Sequence, residues 1–176
     1  MKKFLHVSLL GAVLVTPFAA QAEDAYVKLA AGQSSYKVDE FGTFKQNGYL
    51  LGLGVALDKT WDVEVGYADL GKSTKKIGNL SESVDVNVFY AAGIGKYPVS
   101  DAFNFFGKLG IGYLRAEAEL KGLGGASTPP LKDSTTKVLY GVGASYNFTK
   151  EIAGVIDYTA YTSNIKYLSA GVRYGF

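Results

Sequence analysis

The last ten residues of the chain, YLSAGVRYGF, constrain its fold more than any other stretch. Every second residue from Leu168 to Phe176 is apolar, and the residues between them are small or charged. A period of two with a single apolar face predicts a β-strand. The stretch ends on an aromatic residue without a polar tail. We expect it to close a membrane β-barrel, in which both edges of every strand are paired.

The same alternation recurs in seven earlier runs of about ten residues. The predicted strands cover residues 25–36, 48–57, 61–70, 82–95, 104–117, 136–148, 152–161 and 167–176. After the N-terminal segment no stretch approaches the 18 or so apolar residues that a membrane helix needs. The sequence therefore predicts an all-β fold, an eight-stranded antiparallel up-and-down transmembrane β-barrel.

The two faces of the predicted strands differ in residue size. The apolar face is expected to contact lipid, and in the fourth strand that face consists of Val84, Val86, Val88, Tyr90, Ala92 and Ile94. The other face is rich in glycine: Gly52, Gly54, Gly66, Gly93, Gly95, Gly110, Gly112, Gly141, Gly143 and Gly171. An eight-stranded barrel has little room inside, so small residues are expected to line its lumen.

The N-terminus has the pattern of a secretory signal. Lys2 and Lys3 precede an apolar run, and Ala20 and Ala22 form a small-x-small cleavage site. We expect residues 1–22 to be a signal peptide and residues 23–176 to form one barrel domain. A retained N-terminal anchor is the alternative.

Composition excludes most catalytic chemistry. Cysteine is absent and the one histidine, His6, leaves with the signal, so neither a Ser-His pair nor a cysteine nucleophile is possible. Removing Lys2 and Lys3 leaves 16 basic and 16 acidic residues, a balance that does not suggest nucleic acid as a partner. No spacing typical of a metal or cofactor site occurs. We expect a protein that is not an enzyme.

The connections between strands alternate in length, which predicts the orientation of the barrel. Residues 58–60, 96–103 and 149–151 are short connections, whereas 37–47, 71–81 and 118–135 are long. Short turns face the periplasm in such barrels. Aromatic residues are expected to form a girdle at each membrane surface. The lower set is Trp61, Tyr97, Phe103, Phe105, Tyr146, Phe148, Tyr174 and Phe176, and the upper set is Tyr36, Tyr67, Tyr113, Tyr140, Tyr158 and Tyr161.

Charged residues on the lumen face form the first candidate site. They are Lys28, Asp62, Glu64, Lys108, Asp157 and Arg173. Since isolated buried charges are costly, these residues are expected to pair across the lumen, with Lys108 and Arg173 in reach of Glu64. A structural plug is one interpretation and a gate or proton path is the other. Replacing Glu64 by Gln is expected to hydrate the lumen and raise its conductance.

The long connections supply the second set of candidates. Lys72, Lys75 and Lys76 form a basic group that is expected to contact lipopolysaccharide phosphates or an anionic host surface. Phe41 and Phe44 are expected to be exposed aromatic residues of a contact surface. A solvated loop without a ligand is the alternative for the basic group.

Several segments resemble the OmpA transmembrane domain. These are VEVGYADLGK at 63–72, KYPVSDAFNFFGKLGIGYLRAE at 96–117, SYNFTKEIAGVIDY at 145–158 and SAGVRYGF at 169–176. The resemblance implies an eight-stranded barrel in the outer membrane of a Gram-negative bacterium. It also implies an interior charge cluster discussed as a gate, in which Glu64, Lys108 and Asp157 match charged positions. The basic partner expected two residues before Asp157 is Val155 here, so the gate is not carried over.

Taken together, these features predict a monomeric surface barrel with a charge-plugged lumen. We expect it to contact outer-membrane lipid and lipopolysaccharide, and to meet the assembly machinery through its C-terminal strand. Envelope integrity, or adhesion to a host or cell-surface ligand through the loops, is the expected role. A small non-specific pore for ions or tiny solutes is the alternative.

Overall fold

The computed structural model describes residues 25–38, 42–77, 80–121 and 131–176. The strands are β1 (Ala25–Val38), β2 (Gly42–Ala56), β3 (Trp61–Ile77), β4 (Leu80–Pro98), β5 (Phe103–Lys121), β6 (Leu131–Asn147), β7 (Ile152–Ala160) and β8 (Ile165–Gly175). Each pairs with its neighbours in antiparallel order, and the sheet is a closed barrel. No helix in this part of the chain is long and apolar enough to cross a bilayer, an observation that has no bearing on spans made of strands.

The closing seam joins the two ends of the sheet. β8 pairs with β1 from Tyr26 opposite Gly175 to Tyr36 opposite Ile165. Beyond the last ladder pair, the Phe176 amide donates a hydrogen bond to the Ala25 carbonyl at 2.9 Å. The closed ladder leaves no unpaired strand edge at the level of the lipid. The predicted all-β, eight-stranded antiparallel barrel is thus confirmed, with β8 as its closing strand.

The outer face carries a belt of exposed apolar side chains between two aromatic bands. The belt includes Leu29, Leu51, Val63, Val65, Leu109, Ile111, Val138, Val142, Ile156, Leu168 and Val172. The lower band, at the short turns, comprises Trp61, Tyr97, Phe105, Tyr146, Phe148, Tyr174 and Phe176, and the upper band comprises Tyr49, Phe89, Tyr113, Tyr140 and Tyr158. Tyr36 and Tyr161, predicted for the upper band, instead lie inside the barrel.

The prediction for the faces of β4 was wrong. Val86, Val88 and Tyr90 are buried inside the barrel, while Phe89 and Gly93 face outwards. The segment from Val88 to Ala92 is apolar on both faces, so alternation alone could not assign them. Higher up the strand the polar residues lie on the outside. Above the lipid a barrel wall faces water on its outer side, which reverses the usual pattern of a membrane strand.

Strands extend into all three long connections, which corrects the predicted boundaries. β1 continues to Val38 and β2 begins at Gly42, with only residues 39–41 between them. Likewise β3 continues to Ile77 and β4 begins at Leu80. β5 continues to Lys121 and β6 begins at Leu131. A continued ladder satisfies the backbone hydrogen bonds that a free loop would leave to water.

The wall is continuous near the short turns and divided at the opposite end. In the described part of the chain, the β2–β3 ladder stops at Tyr49 opposite Asp69, and the β6–β7 ladder stops at Tyr140 opposite Ala160. A bulge lies between Asp69 and Lys72, where Gly71 has a φ of 87° that favours glycine. Above these points β3 to β6 form one projecting sheet, and β1 with β2 forms another.

Candidate functional site

Four charged side chains from four strands meet at mid-height in the lumen, and we call them the four-charge ring: Lys28, Glu64, Lys108 and Asp157. Lys28 Nζ lies 3.2 Å from Glu64 Oε1 and 3.0 Å from Asp157 Oδ2. Lys108 Nζ lies 3.2 Å from the same Glu64 oxygen and 2.7 Å from the same Asp157 oxygen. Each ammonium group therefore bridges both carboxylates. The ring is neutral, and each of its residues is 4% exposed or less.

Hydroxyl groups donate further hydrogen bonds to both carboxylates of the ring. Tyr90 donates to Glu64 Oε1 at 2.8 Å, and Tyr26 donates to Glu64 Oε2 at 3.1 Å. Thr159 Oγ1 lies 2.7 Å from Asp157 Oδ1 and donates to it. Buried charges are tolerated when they are both paired and hydrogen-bonded, and all four members of the ring are paired in this way.

Glycine makes room for one of these tyrosines. A Cβ at Gly66 would lie 2.6 Å from the Tyr90 ring, and a Cβ at Gly52 would lie 3.3 Å from its hydroxyl oxygen. Gly52 and Gly66 are register partners on β2 and β3. The pair forms a recess in the lumen wall that holds the Tyr90 hydroxyl against Glu64. These two glycines line the lumen as the sequence predicts.

A second charge group lies between the ring and the short-turn end of the barrel. The Asp62 carboxylate forms ion pairs with Lys96 and, at 3.5 Å, with Arg173. Its oxygens accept no hydrogen bond of good geometry within the described part of the chain. Asp62, Lys96 and Arg173 line a cavity of about 20 Å³ that extends to Glu64. A cavity of this size holds about one water molecule.

An apolar layer fills the lumen on the other side of the ring. This upper apolar cluster consists of Leu50, Ala68, Leu70, Val86, Val88, Leu114, Leu139, Tyr161 and Tyr167. Leu70, Val88 and Leu139 have no exposed surface at all. The cluster is apolar apart from the two tyrosine hydroxyls, whereas the ring consists of paired charges. Any path through the lumen would have to pass both layers.

The placement of the predicted lumen residues can now be stated. Lys28, Glu64, Lys108 and Asp157 meet in the ring, whereas Arg173 lies beside Asp62 and not beside Glu64 as expected. Sequence reasoning missed Lys96, because it was assigned to a turn although it lies in β4 and pairs with Asp62 in the lumen. It also missed Tyr90, because β4 was assigned the wrong face. Once this face of β4 was assigned to lipid, nothing in the sequence marked Lys96 or Tyr90 as a residue of the lumen.

The predicted loop candidates lie on strands or outside the described residues. Lys72, Lys75 and Lys76 belong to β3, and Lys72 and Lys75 stand opposite Asp85 and Glu82 of β4 in register. Each of these two lysines thus has an acidic neighbour across the ladder. Phe44 lies in β2 and pairs in register with Tyr36, while Phe41 lies outside the described residues. The contact role of these residues stays a prediction.

The described residues hold no group of three or more His, Cys, Asp or Glu side chains that could bind a metal ion. A closed barrel with an exposed apolar belt and two aromatic bands defines the class of transmembrane β-barrels. The chain belongs to the family described as the outer membrane protein beta-barrel domain, which matches residues 6–176. It is therefore a protein of the Gram-negative outer membrane, of the same class as the OmpA-like barrels.

Solved barrels of the same class superpose over most of the chain. Neisserial surface protein A (NspA) has a TM-score of 0.68 at 18% identity, covering 86% of this chain and 97% of its own. Ail, the attachment invasion locus protein of Yersinia pestis, was solved with the heparin analogue sucrose octasulfate. It has a TM-score of 0.58 at 18% identity, with 86% and 99% covered. The N-terminal barrel of Pseudomonas aeruginosa OprF has a TM-score of 0.59 at 13% identity, with 89% and 100% covered. No curated protein matches the chain in sequence.

Proposed function

We propose that the protein is a closed surface barrel that supports the outer membrane and presents its projecting hairpins for adhesion. The observation that carries this proposal is the filling of the lumen by two unlike layers, the four-charge ring and the upper apolar cluster. An ion that enters from either end would have to cross one layer and then the other. A barrel closed in this way acts through its surface and its stability rather than through transport.

The projecting strands support the adhesive part of the proposal. β3 to β6 continue well above the upper aromatic band as one hairpin-paired sheet. Rigid strands hold a contact surface in place at lower entropic cost than free loops. Ail, a barrel of the same fold, is an attachment protein by its name, which makes adhesion a reasonable role for this chain as well. Lys72, Lys75, Lys76, Phe41 and Phe44 are the proposed contact residues for a host or cell-surface ligand.

Liposome swelling tests the closed lumen. Vesicles that contain the refolded protein should swell in an isosmotic solution of a small sugar no faster than vesicles of lipid alone, with a known open porin as the positive control. Swelling that increases with the amount of folded protein would contradict the closed barrel and favour the alternative, a small pore.

Cell attachment tests the adhesive role. A bacterium lacking the protein is complemented with the wild type, with the triple variant Lys72→Ser, Lys75→Ser and Lys76→Ser, or with the control Lys59→Ser at an exposed short turn. The triple variant should reduce attachment to cultured cells, because contact with anionic surfaces depends on those charges. Equal attachment by complemented and uncomplemented cells would contradict the adhesive role.

A further inference from the structure

The outer wall above the lipid belt is charged differently on its two sides. On the β3–β6 side, two lysines of the outer face have an acidic residue across the ladder. Lys72 stands opposite Asp85 in register, and Lys132 Nζ lies 2.8 Å from Glu117 Oε1. An acidic neighbour of this kind reduces the repulsion between nearby lysines.

On the β8–β1–β2 side, three lysines stand together without such partners. Ser35 of β1 pairs in register with Lys45 of β2 on one edge and with Lys166 of β8 on the other. Lys37 lies two residues further along β1, on the same outer face. All three lysines are exposed, and none forms an ion pair within the described part of the chain. We call Lys37, Lys45 and Lys166 the three-lysine patch.

Strand geometry fixes the spacing of the patch. Neighbouring strands lie about 4.8 Å apart and residues two apart on one strand lie about 6.6 Å apart, so the three Cα atoms surround Ser35 within about 10 Å of one another. Flexible lysine side chains at this spacing can converge on a single dianionic group. Like charges held this close repel one another, and a bound anion would remove that cost.

The height of the patch identifies the source of the anion. Directly below Ser35 the outer face continues with Gln33 and its register partners Asn47 and Leu168. Leu168 and, one step lower, Tyr49 belong to the exposed apolar surface and the upper aromatic band. The patch therefore lies at the boundary between lipid and water. A phosphate at that height, with acyl chains lying along Leu168 and Val172 below it, is the headgroup of a membrane lipid.

We propose that the three-lysine patch binds the phosphate of a phosphorylated glycolipid of the outer leaflet, such as the lipid A part of lipopolysaccharide. The site is separate from Lys72, Lys75 and Lys76, and it depends neither on the closed lumen nor on adhesion. It would fix one side of the barrel to the surrounding lipid and leave the β3–β6 sheet free for other contacts.

Native mass spectrometry of the refolded barrel in glycolipid-free detergent tests the site. The probes are bisphosphorylated lipid A and the same glycolipid after removal of its phosphates. The patch variant carries Lys37→Gln, Lys45→Gln and Lys166→Gln, and the matched control carries Arg115→Gln, Lys132→Gln and Lys137→Gln, three exposed basic residues of β5 and β6. Unchanged migration in unboiled SDS gels shows that each variant is folded. If the triple variant does not fold, the single variant Lys166→Gln is used in its place.

The wild type should prefer the phosphorylated probe, and the patch variant should bind it at least tenfold more weakly. Each lysine beside an anionic lipid surface changes affinity about fivefold, so three of them allow at least that much. The control variant should stay within about twofold of the wild type. Equal loss in both variants, or no preference of the wild type for the phosphorylated probe, would overturn the proposal. So would a patch variant that loses binding of soluble sucrose octasulfate while its binding of lipid A is unchanged.

Discussion

Single residues inside the lumen depend on one another because no bulk water is available to replace a missing partner. Glu64 illustrates this dependence, since two lysines and two tyrosines contact its carboxylate. The sequence could identify the charged residues of the lumen, because charge on an alternating strand is visible. It could not assign partners, because the shear of a barrel sets which residues share a level. For that reason Arg173 was placed with Glu64 and Lys96 was not considered.

The four-charge ring leads to two linked predictions about the free energy of unfolding. Glu64→Gln leaves one carboxylate for two lysines and should cost about 3–5 kcal/mol, because a buried cation loses its partner. Adding Lys108→Gln restores neutrality, so the double variant should be more stable than Glu64→Gln alone. Unfolding in urea with lipid vesicles, followed by the fluorescence of the one tryptophan, Trp61, measures both. A double variant as unstable as the summed single variants would contradict a ring held by charge balance.

The glycine recess beside the ring makes a second prediction at this scale. A Cβ at Gly66 would lie 2.6 Å from the Leu51 carbonyl oxygen and 2.6 Å from the Tyr90 ring. We expect Gly66→Ala to cost about 1–3 kcal/mol, because the backbone and the ring must both move. Gly107→Ala is the control, since a Cβ there meets nothing within 4 Å. Similar unfolding curves for the two variants would show that the recess does not hold Tyr90.

At the scale of whole strands, the sequence predicts the number, order and pairing of the elements but not their length. Alternation of period two marks all eight strands, and seven of them have the predicted face outwards. The predicted face of β4 is wrong because the middle of that strand is apolar on both faces. The predicted lengths of the hairpin strands are wrong for a related reason. Polar residues such as Lys45 and Lys72 look like loop residues, yet above the lipid they are the outward side of a strand.

The closing strand carries a prediction about assembly. Phe176 is exposed to lipid, its ring lies 5.3 Å from that of Tyr174, and its amide pairs with Ala25. Removing it deletes one hydrogen bond and one surface side chain, so refolding into detergent should change little. Insertion in cells should fall strongly if the assembly machinery reads the terminal aromatic residue. Heat-modifiability on SDS gels measures both, and an equal loss in the two settings would show that Phe176 acts through stability alone.

At the scale of the whole molecule, the proposed closed lumen depends on two layers in series. In this proposal the ring excludes solutes by occupying the lumen with paired charges, and the upper apolar cluster excludes water by offering it few polar partners. From the sequence alone, Glu64→Gln was expected to raise conductance, because only the charged layer was foreseen. The buried tyrosines Tyr161 and Tyr167 change that expectation, since they belong to a second layer that contains no member of the ring.

Planar-bilayer conductance tests this central claim most directly. The wild-type barrel should carry no steady current, and Glu64→Gln should carry none either while the upper apolar cluster is intact. Combining Glu64→Gln with Leu139→Ala and Tyr161→Ala should produce a current, because both barriers are then reduced. A steady current through the wild type, present at all voltages and increasing with the amount of inserted protein, would contradict the closed barrel.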